Sequence, residues 1–508
     1  MAKLSNMYPT TAPPRGPMAT VAPARTHEGG AGYTKSLETE LFTLAVTNMV
    51  GEDTFYETGK ARDTRFVGLV TQAAQGNPDW TARFIGWLRS DANMRTASLI
   101  AAAEYAGAGA PNGRRVVDSA CQRADEPGEM LAYWRGTHGR KLPFALKRGL
   151  ADAAVRLYNE RSFVKWDSDS AAYRMGDVID VVHPSPRDDR QSALFRYALD
   201  VRHGREAPRG LDGLGGIAEY LAWRKAPTLD MPRLVTWENL SSTRKMDAAA
   251  WGAVIPQMGY MALLRNLRNF EAAGVSAEVL AQVAAKLADP AEVAESRQLP
   301  FRFWSAWKHS GTLTFGPAIQ AGLDHSVANI PAFHGRTLVM VDTSGSMNAP
   351  MSAKSKINRV EAAALFGACV IKRSSADSRL VMYATDAADV TPARGTAVLR
   401  TTEMIVGKVG AVGHGTNTWP SVAAAIDRFG DFDRIMVFTD MQDHPSGQSF
   451  PANTAVYVWD LAGYKTANIE LGSGRYLLGG LSDATFKLVP ILERGVDAGW
   501  DDIFGPAD

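Results

Sequence analysis

From Tyr33 to about Ser310, apolar residues recur at three- and four-residue spacing, as in Leu41, Leu44, Ala45 and Met49 or in Phe84, Trp87 and Leu88. That period predicts amphipathic helices almost throughout. Breakers at Gly76-Asn77-Pro78, Gly107 to Gly113, Gly136 to Gly139, Pro184 to Pro186, Gly204 to Gly216 and Asp289-Pro290 separate them, leaving helices of about 12 to 18 residues. Helix pairs of roughly 35 to 45 residues, which bury little alone, suggest a repeat array, and a compact irregular bundle fits the same pattern. After about Gly311 the grammar changes to strand, helix, strand, with Thr337–Val341, Arg379–Tyr383, Arg434–Phe438 and Ala455–Trp459 as short apolar strands. Helices intervene at about 359–371, 419–429 and 484–494. Apolar strands alternating with helices predict a doubly wound parallel sheet covered on both faces, with ligands at the strands' carboxyl ends.

Composition adjusts this picture only a little. A chain of 508 residues with 45% hydrophobic content has room for two to four domains with ordinary cores. Its two cysteines, Cys121 and Cys369, are far apart and form no Cys-x-x-Cys motif, so neither a disulfide framework nor a thiolate zinc site is indicated and a reducing cytoplasm fits best. Residues 1–32 are rich in Pro, Ala, Thr and Gly, without the apolar core of a secretory signal, and read as a disordered tail. No run of 18 or more apolar residues occurs, so no membrane span is expected. Residues 336–508 carry 16 Lys+Arg against 19 Asp+Glu, leaving the front of the chain mildly basic in a total of +1. That balance permits a polyanionic partner without requiring one.

The strand Thr337–Val341 runs directly into Asp342-Thr343-Ser344-Gly345-Ser346, which sets one carboxylate and two hydroxyls on a tight turn at the sheet's carboxyl edge. Thr416 in Gly413-His414-Gly415-Thr416 and Asp440 after the strand Arg434–Phe438 present two further oxygens at the same end. Hard oxygen donors of this kind suit Mg2+ better than zinc or copper, although the same residues also satisfy backbone groups in ordinary turns. Asp342, Ser344, Ser346, Thr416 and Asp440 together resemble the metal-ion-dependent adhesion site of von Willebrand factor A domains, here spanning 336–505. The resemblance implies a divalent ion, with a position open to an acidic group of a partner.

Between Arg140 and Arg202, Arg140, Lys141, Lys147, Arg148, Arg156, Lys165, Tyr173, Arg174 and His183 gather among interspersed acids. Such residues bind phosphates and stack on unpaired bases, and they equally make a solvated helix face with ordinary charge pairs. The stretches Leu142 to Asn159, Met175 to Pro184, Met258 to Leu267 and Pro300-Phe301-Arg302, followed by the metal loop, resemble the Ro autoantigen ribonucleoprotein family. Its TROVE module is a HEAT-like ring of helical repeats closed by a von Willebrand A domain. The resemblance assigns 33–320 to that module and implies binding of Y-type small noncoding RNA on an outer basic surface. It also implies binding of single-stranded ends of misfolded RNA through a central hole, and cooperation with an exoribonuclease in RNA quality control. Matched to the family's positions, His183, Lys147, Lys165, Tyr173 and Arg174 are the expected RNA contacts. His414-Gly415-Thr416-Asn417 departs from the family's Gly-Gly-Thr-Asp but keeps the threonine. A metal-dependent adhesion scaffold on a helical platform is the competing expectation. With no Walker loop, Gly-x-Ser-x-Gly elbow or His-Glu-x-x-His in the sequence, an enzyme is not expected.

Overall fold

In the computed structural model, the residues described are 18–47, 50–205, 208–310, 313–352, 355–446, 454–472, 474–480, 483–493 and 500–504. They form two compact units that do not follow chain order. One gathers residues up to Leu69, Ser90–Ala97 and Ala284 onward, the other Val70–Arg89 and Ser98–Val283. The division of the sequence at 1–32, 33–320 and 336–505 is therefore redrawn, because the chain's start packs with its end.

The disordered tail expected through residue 32 is corrected from Met18 onward; residues 1–17 lie outside the described ones. Strands β1 (Thr20–Arg25) and β2 (Ala31–Lys35) form an antiparallel hairpin, with Arg25 facing Ala31 across the turn. Gly29, at φ 83°, supplies the left-handed residue that closes it. A Pro- and Ala-rich composition reads as disorder only while its tertiary partner is unknown, and here β2 gains that partner from far along the chain. The helix that follows, Leu37–Thr47, buries every residue from Thr39 to Val46, the mark of a helix enclosed on all sides.

The second sheet of this unit comprises β3 (Thr337–Asp342), β4 (Arg379–Tyr383), β5 (Ala387–Asp389), β6 (Arg434–Thr439), β7 (Ala455–Asp460) and β9 (Arg475–Gly479), while β8 (Thr466–Ala467) extends the N-terminal hairpin. Its strand order is β5-β4-β3-β6-β7-β9, all parallel except edge strand β5. The four predicted strands are present, and β5, β9 and the helix Val398–Val406 are additions. From β3 the chain winds outward to β4 and then crosses back to β6, so the winding direction reverses beside β3. Open α/β sheets bind ligands in the crevice at such a reversal. Helix Arg359–Arg373 lies close on the sheet through Gly367, where an added Cβ would stand 2.6 Å from Val341 Cγ2.

The regular elements described in the other unit are all helices, and the predicted breakers within it fall at helix ends. Gly139 closes helix Glu126–His138 at φ 84°, and Pro184 to Pro186 follow helix Met175–Val182. Helices Gly113–Ala120 and Phe144–Leu157 are clamped by Arg114 to Asp152 and by Arg156 to Asp118. Between the clamps a Cβ on Gly149 would meet the Arg114 carbonyl and Val117 Cβ, each at 2.6 Å. Gly149→Ala is therefore expected to destabilise the fold despite alanine's better helix propensity, by about 1–3 kcal/mol from overpacking. Urea denaturation of the two proteins checks the sign.

Candidate metal centre and nucleic-acid interface

Parallel register brings Asp342 and Asp440 to one edge of the sheet, and backbone bonds hold the loop of Thr416 against both of their loops. Asp342 ends β3 opposite Tyr383 of β4, and Val341 pairs with Phe438 of β6, so Thr439 and Asp440 emerge beside Asp342. The Thr439 hydroxyl donates to Asp342 Oδ2 at 2.6 Å, and the Ser344 amide donates to Oδ1 at 2.8 Å. Ser344 and Ser346 bring their hydroxyl oxygens within 3.5 Å of each other. The Gly345 amide donates to the His414 carbonyl at 2.9 Å, and the His444 amide to the Thr416 carbonyl at 3.0 Å. These two bonds stitch the threonine loop to both carboxylate loops.

All five residues are buried. Asp440 Oδ2 has no hydrogen-bond partner among the described residues, an expensive state for a buried oxygen unless a proton or cation meets it. Burial raises the Asp342 carboxyl above its ordinary range, and bonds from Ser344 and Thr439 only partly offset this. Burial, then the charge of Asp342, pushes Asp440 up to about 7, while Ser346 and the Arg359 guanidinium pull the other way. Two buried carboxylates, two serine hydroxyls and a threonine suit a hard divalent cation. Among the described residues no cluster of three or more His, Cys, Asp or Glu with metal-holding geometry occurs.

Sequence reasoning missed the residues that support this arrangement. Thr439 orients Asp342, and its only sequence signal is its place before Asp440. Asp443 is fully buried, bonded by the Thr418 hydroxyl and by Asn468 Nδ2 at 2.8 Å, and burial pushes its carboxyl up to about 7.

The five expected RNA contacts all lie in the helical unit, with unequal freedom. His183 is exposed just past helix Met175–Val182, in a left-handed conformation at φ 52°. Lys147 is half-buried on Phe144–Leu157. Lys165 is exposed with its ammonium 4.8 Å from the Trp166 ring, which Arg123 covers at 4.1 Å. The Tyr173 ring lies 5.4 Å from the Arg135 guanidinium. Arg174 differs, because its guanidinium bonds Asp167 and, at 2.6 Å, Asp169, which leaves it engaged by its own loop.

A cleft of about 640 Å³ in the same unit was not anticipated. Its walls include Arg161, Arg187, Arg190 and Arg233, with Glu160, Asp188 and Glu219 among them. Arg190 pairs with Glu160 and Arg187 with Asp188, which leaves Arg161 and Arg233 facing Glu219 and one positive charge in surplus among these wall residues. These arginines are scattered over more than 70 residues of sequence, and no spacing announces them.

Residues 222–313 match the TROVE domain model, a span containing the Met258–Leu267 and Pro300-Phe301-Arg302 stretches but not the cationic segment before it. Over 85 residues the chain is 36% identical to telomerase protein component 1 of Mus musculus, and equally to that of Rattus norvegicus. The alignment covers 16% of this chain and spans 3% of the length of those curated relatives. In fold, the chain is similar to the RO (RSR) protein of Deinococcus radiodurans, with a TM-score of 0.62, 17% identity, and coverage of 92% of this chain and 99% of that one. No helix among the described residues is long and apolar enough to cross a membrane.

Proposed function

This chain belongs to the Ro/TROVE family, and from that premise we propose that it is a noncatalytic RNA-binding protein of small-RNA ribonucleoproteins. It takes Y-type small noncoding RNA and the single-stranded ends of misfolded RNA, and works beside an exoribonuclease in RNA quality control. The observation that carries the reading is that, among the described residues, the helical unit displays cations held in no ion pair. Lys147, Arg161, Arg233 and the ring-stacked Lys165 are among them. His183, exposed at a helix end, and Tyr173 supply surfaces for bases, while the engaged Arg174 holds its loop in shape.

Binding isotherms of a structured small RNA and of a single strand, taken from 50 to 300 mM salt, test this. Affinity is expected to fall steeply with salt, because bound cations release condensed counterions. Lys147→Ala with Lys165→Ala is expected to weaken binding across sequences and to flatten the logarithmic salt slope by about 2. No binding at low ionic strength removes the reading.

A second reading concerns the sheet's carboxyl edge and is favoured by the unpartnered Asp440 oxygen. Asp342, Ser344, Ser346, Thr416 and Asp440 would hold Mg2+ there. The bound ion supplies a positive charge with a coordination position for a carboxylate, the chemistry of a metal-dependent adhesion scaffold.

A further inference from the structure

The turn of the N-terminal hairpin sits on the loop that follows Asp440. The Thr26 hydroxyl donates to the Asp443 carbonyl at 2.7 Å, and the His27 amide donates to Gln442 Oε1 at 2.7 Å. The Gly30 amide donates to the Asp443 carbonyl at 3.2 Å, so close that any side chain on Gly30 would overlap the 443–444 backbone. At the tip, the Tyr56 hydroxyl bonds the Glu28 carboxylate, which lies 3.7 Å from His444 Nδ1. The far edge of that imidazole reaches Gly415, where Nε2 stands 3.1 Å from the place of a Cβ, one residue from Thr416. The His27 ring stacks on Tyr56 at 4.6 Å, with Tyr464 edge-on to both. Burial and the Glu28 bond raise the Tyr56 hydroxyl, and the charge of Asp440 adds to this. The aromatic group thus lies beside the loop that follows Asp440.

We propose, building on the metal reading above, that the turn Thr26–Gly30 is the metal face's partner within the chain, and that Glu28 supplies the acidic group there. A glutamate on a clamped turn, half-exposed and with three rotatable bonds, is tethered at high effective concentration. A carboxylate from another protein must displace it before using the face. The hairpin then serves both as a structural strand pair and as an occupant of the site.

Mn2+ titrated into the full-length protein, with water-proton relaxation of the bound ion as a second readout, tests the assignment. Glu28→Gln preserves an acceptor for Tyr56 and removes the charge. It is expected to lower Mn2+ affinity roughly tenfold, the low end for losing a group that tunes a metal site, and to add a fast-exchanging water to the bound ion. Glu28→Asp should recover part of both. Equal affinity and equal hydration in wild type and Glu28→Gln, with binding lost in Ser344→Ala, overturns this proposal and leaves the metal site standing. No Mn2+ binding by the wild type overturns both.

Discussion

Changing Asp440 to asparagine is expected to stabilise the metal-free protein at pH 8 while erasing its response to Mg2+. The first effect follows from burial: the Asp440 carboxyl is pushed up to about 7 in the fold, whereas in the unfolded chain it ionises near pH ~4. Below that lower value both states hold the proton and nothing is at stake. As pH rises, the unfolded chain releases its proton first, so the fold loses stability until the native carboxyl also ionises near 7. At about 1.4 kcal/mol per pKa unit, the penalty at pH 8 is on the order of a few kcal/mol, shared with Asp342. Asparagine is isosteric, keeps an acceptor for the Gln442 amide that now reaches Asp440 Oδ1 at 3.3 Å, and carries no charge to desolvate. A cation removes the same penalty in the wild type, so Mg2+ should raise the wild-type melting temperature and leave the variant unmoved. Melting curves in EDTA from pH 4 to 8, then with Mg2+, separate the effects. Parallel profiles in EDTA, or a Mg2+ shift that survives in Asp440→Asn, would show that the pair bears no such burden.

The oxygen cluster was legible because parallel strands convert sequence position into spatial position. Once Thr337–Val341 and Arg434–Phe438 are read as neighbouring strands, Asp342 and Asp440 must emerge at one edge. The helix Tyr260–Ala272, which takes up most of the Met258–Leu267 stretch, was legible for a similar reason. Leu264 and Leu267 are buried and Arg265 is exposed, as its 3.6-residue period requires, although Asn266 is buried and bonded to the Ala262 carbonyl at 2.8 Å. The hairpin resisted reading because β1 and β2 carry no apolar alternation of their own. β2 gains its second partner from Thr466–Ala467, more than 400 residues away, and the turn between the strands is held by the 442–443 loop. The arginine cleft resisted for the same reason: Arg161 and Arg233 share a wall only after several helices have packed. Charge in the sequence likewise does not say which cations are spent internally, as the difference between Arg174 and Lys165 makes plain.

The anchor of that hairpin gives the largest expected stability effect. Asp460→Ala should cost about 3–5 kcal/mol, the range for stripping one partner from a buried ion pair. Lys35, on β2, is fully buried with its ammonium 3.3 Å from Asp460 Oδ2, 3.3 Å from the Thr43 hydroxyl and 2.8 Å from the Tyr464 carbonyl. Desolvation pulls the Lys35 ammonium below its ordinary range, and Asp460 is the main influence raising it again. The carboxylate also accepts the Ala462 and Gly463 amides at 2.8 and 2.7 Å, so its loss orphans two backbone donors as well as a cation. Lys35→Met is expected to cost less, because Asp460 keeps those amides and methionine refills most of the lysine stem's volume. The double variant should be more stable than the sum of the two losses predicts, since the stranded ammonium is gone. Urea denaturation of the four proteins yields the coupling directly; additive losses would mean that the two charges never relied on each other. Because the same hairpin carries Glu28 to the 440–444 loop, a weakened anchor should also make that turn easier to displace, joining a buried ion pair to access at the metal face.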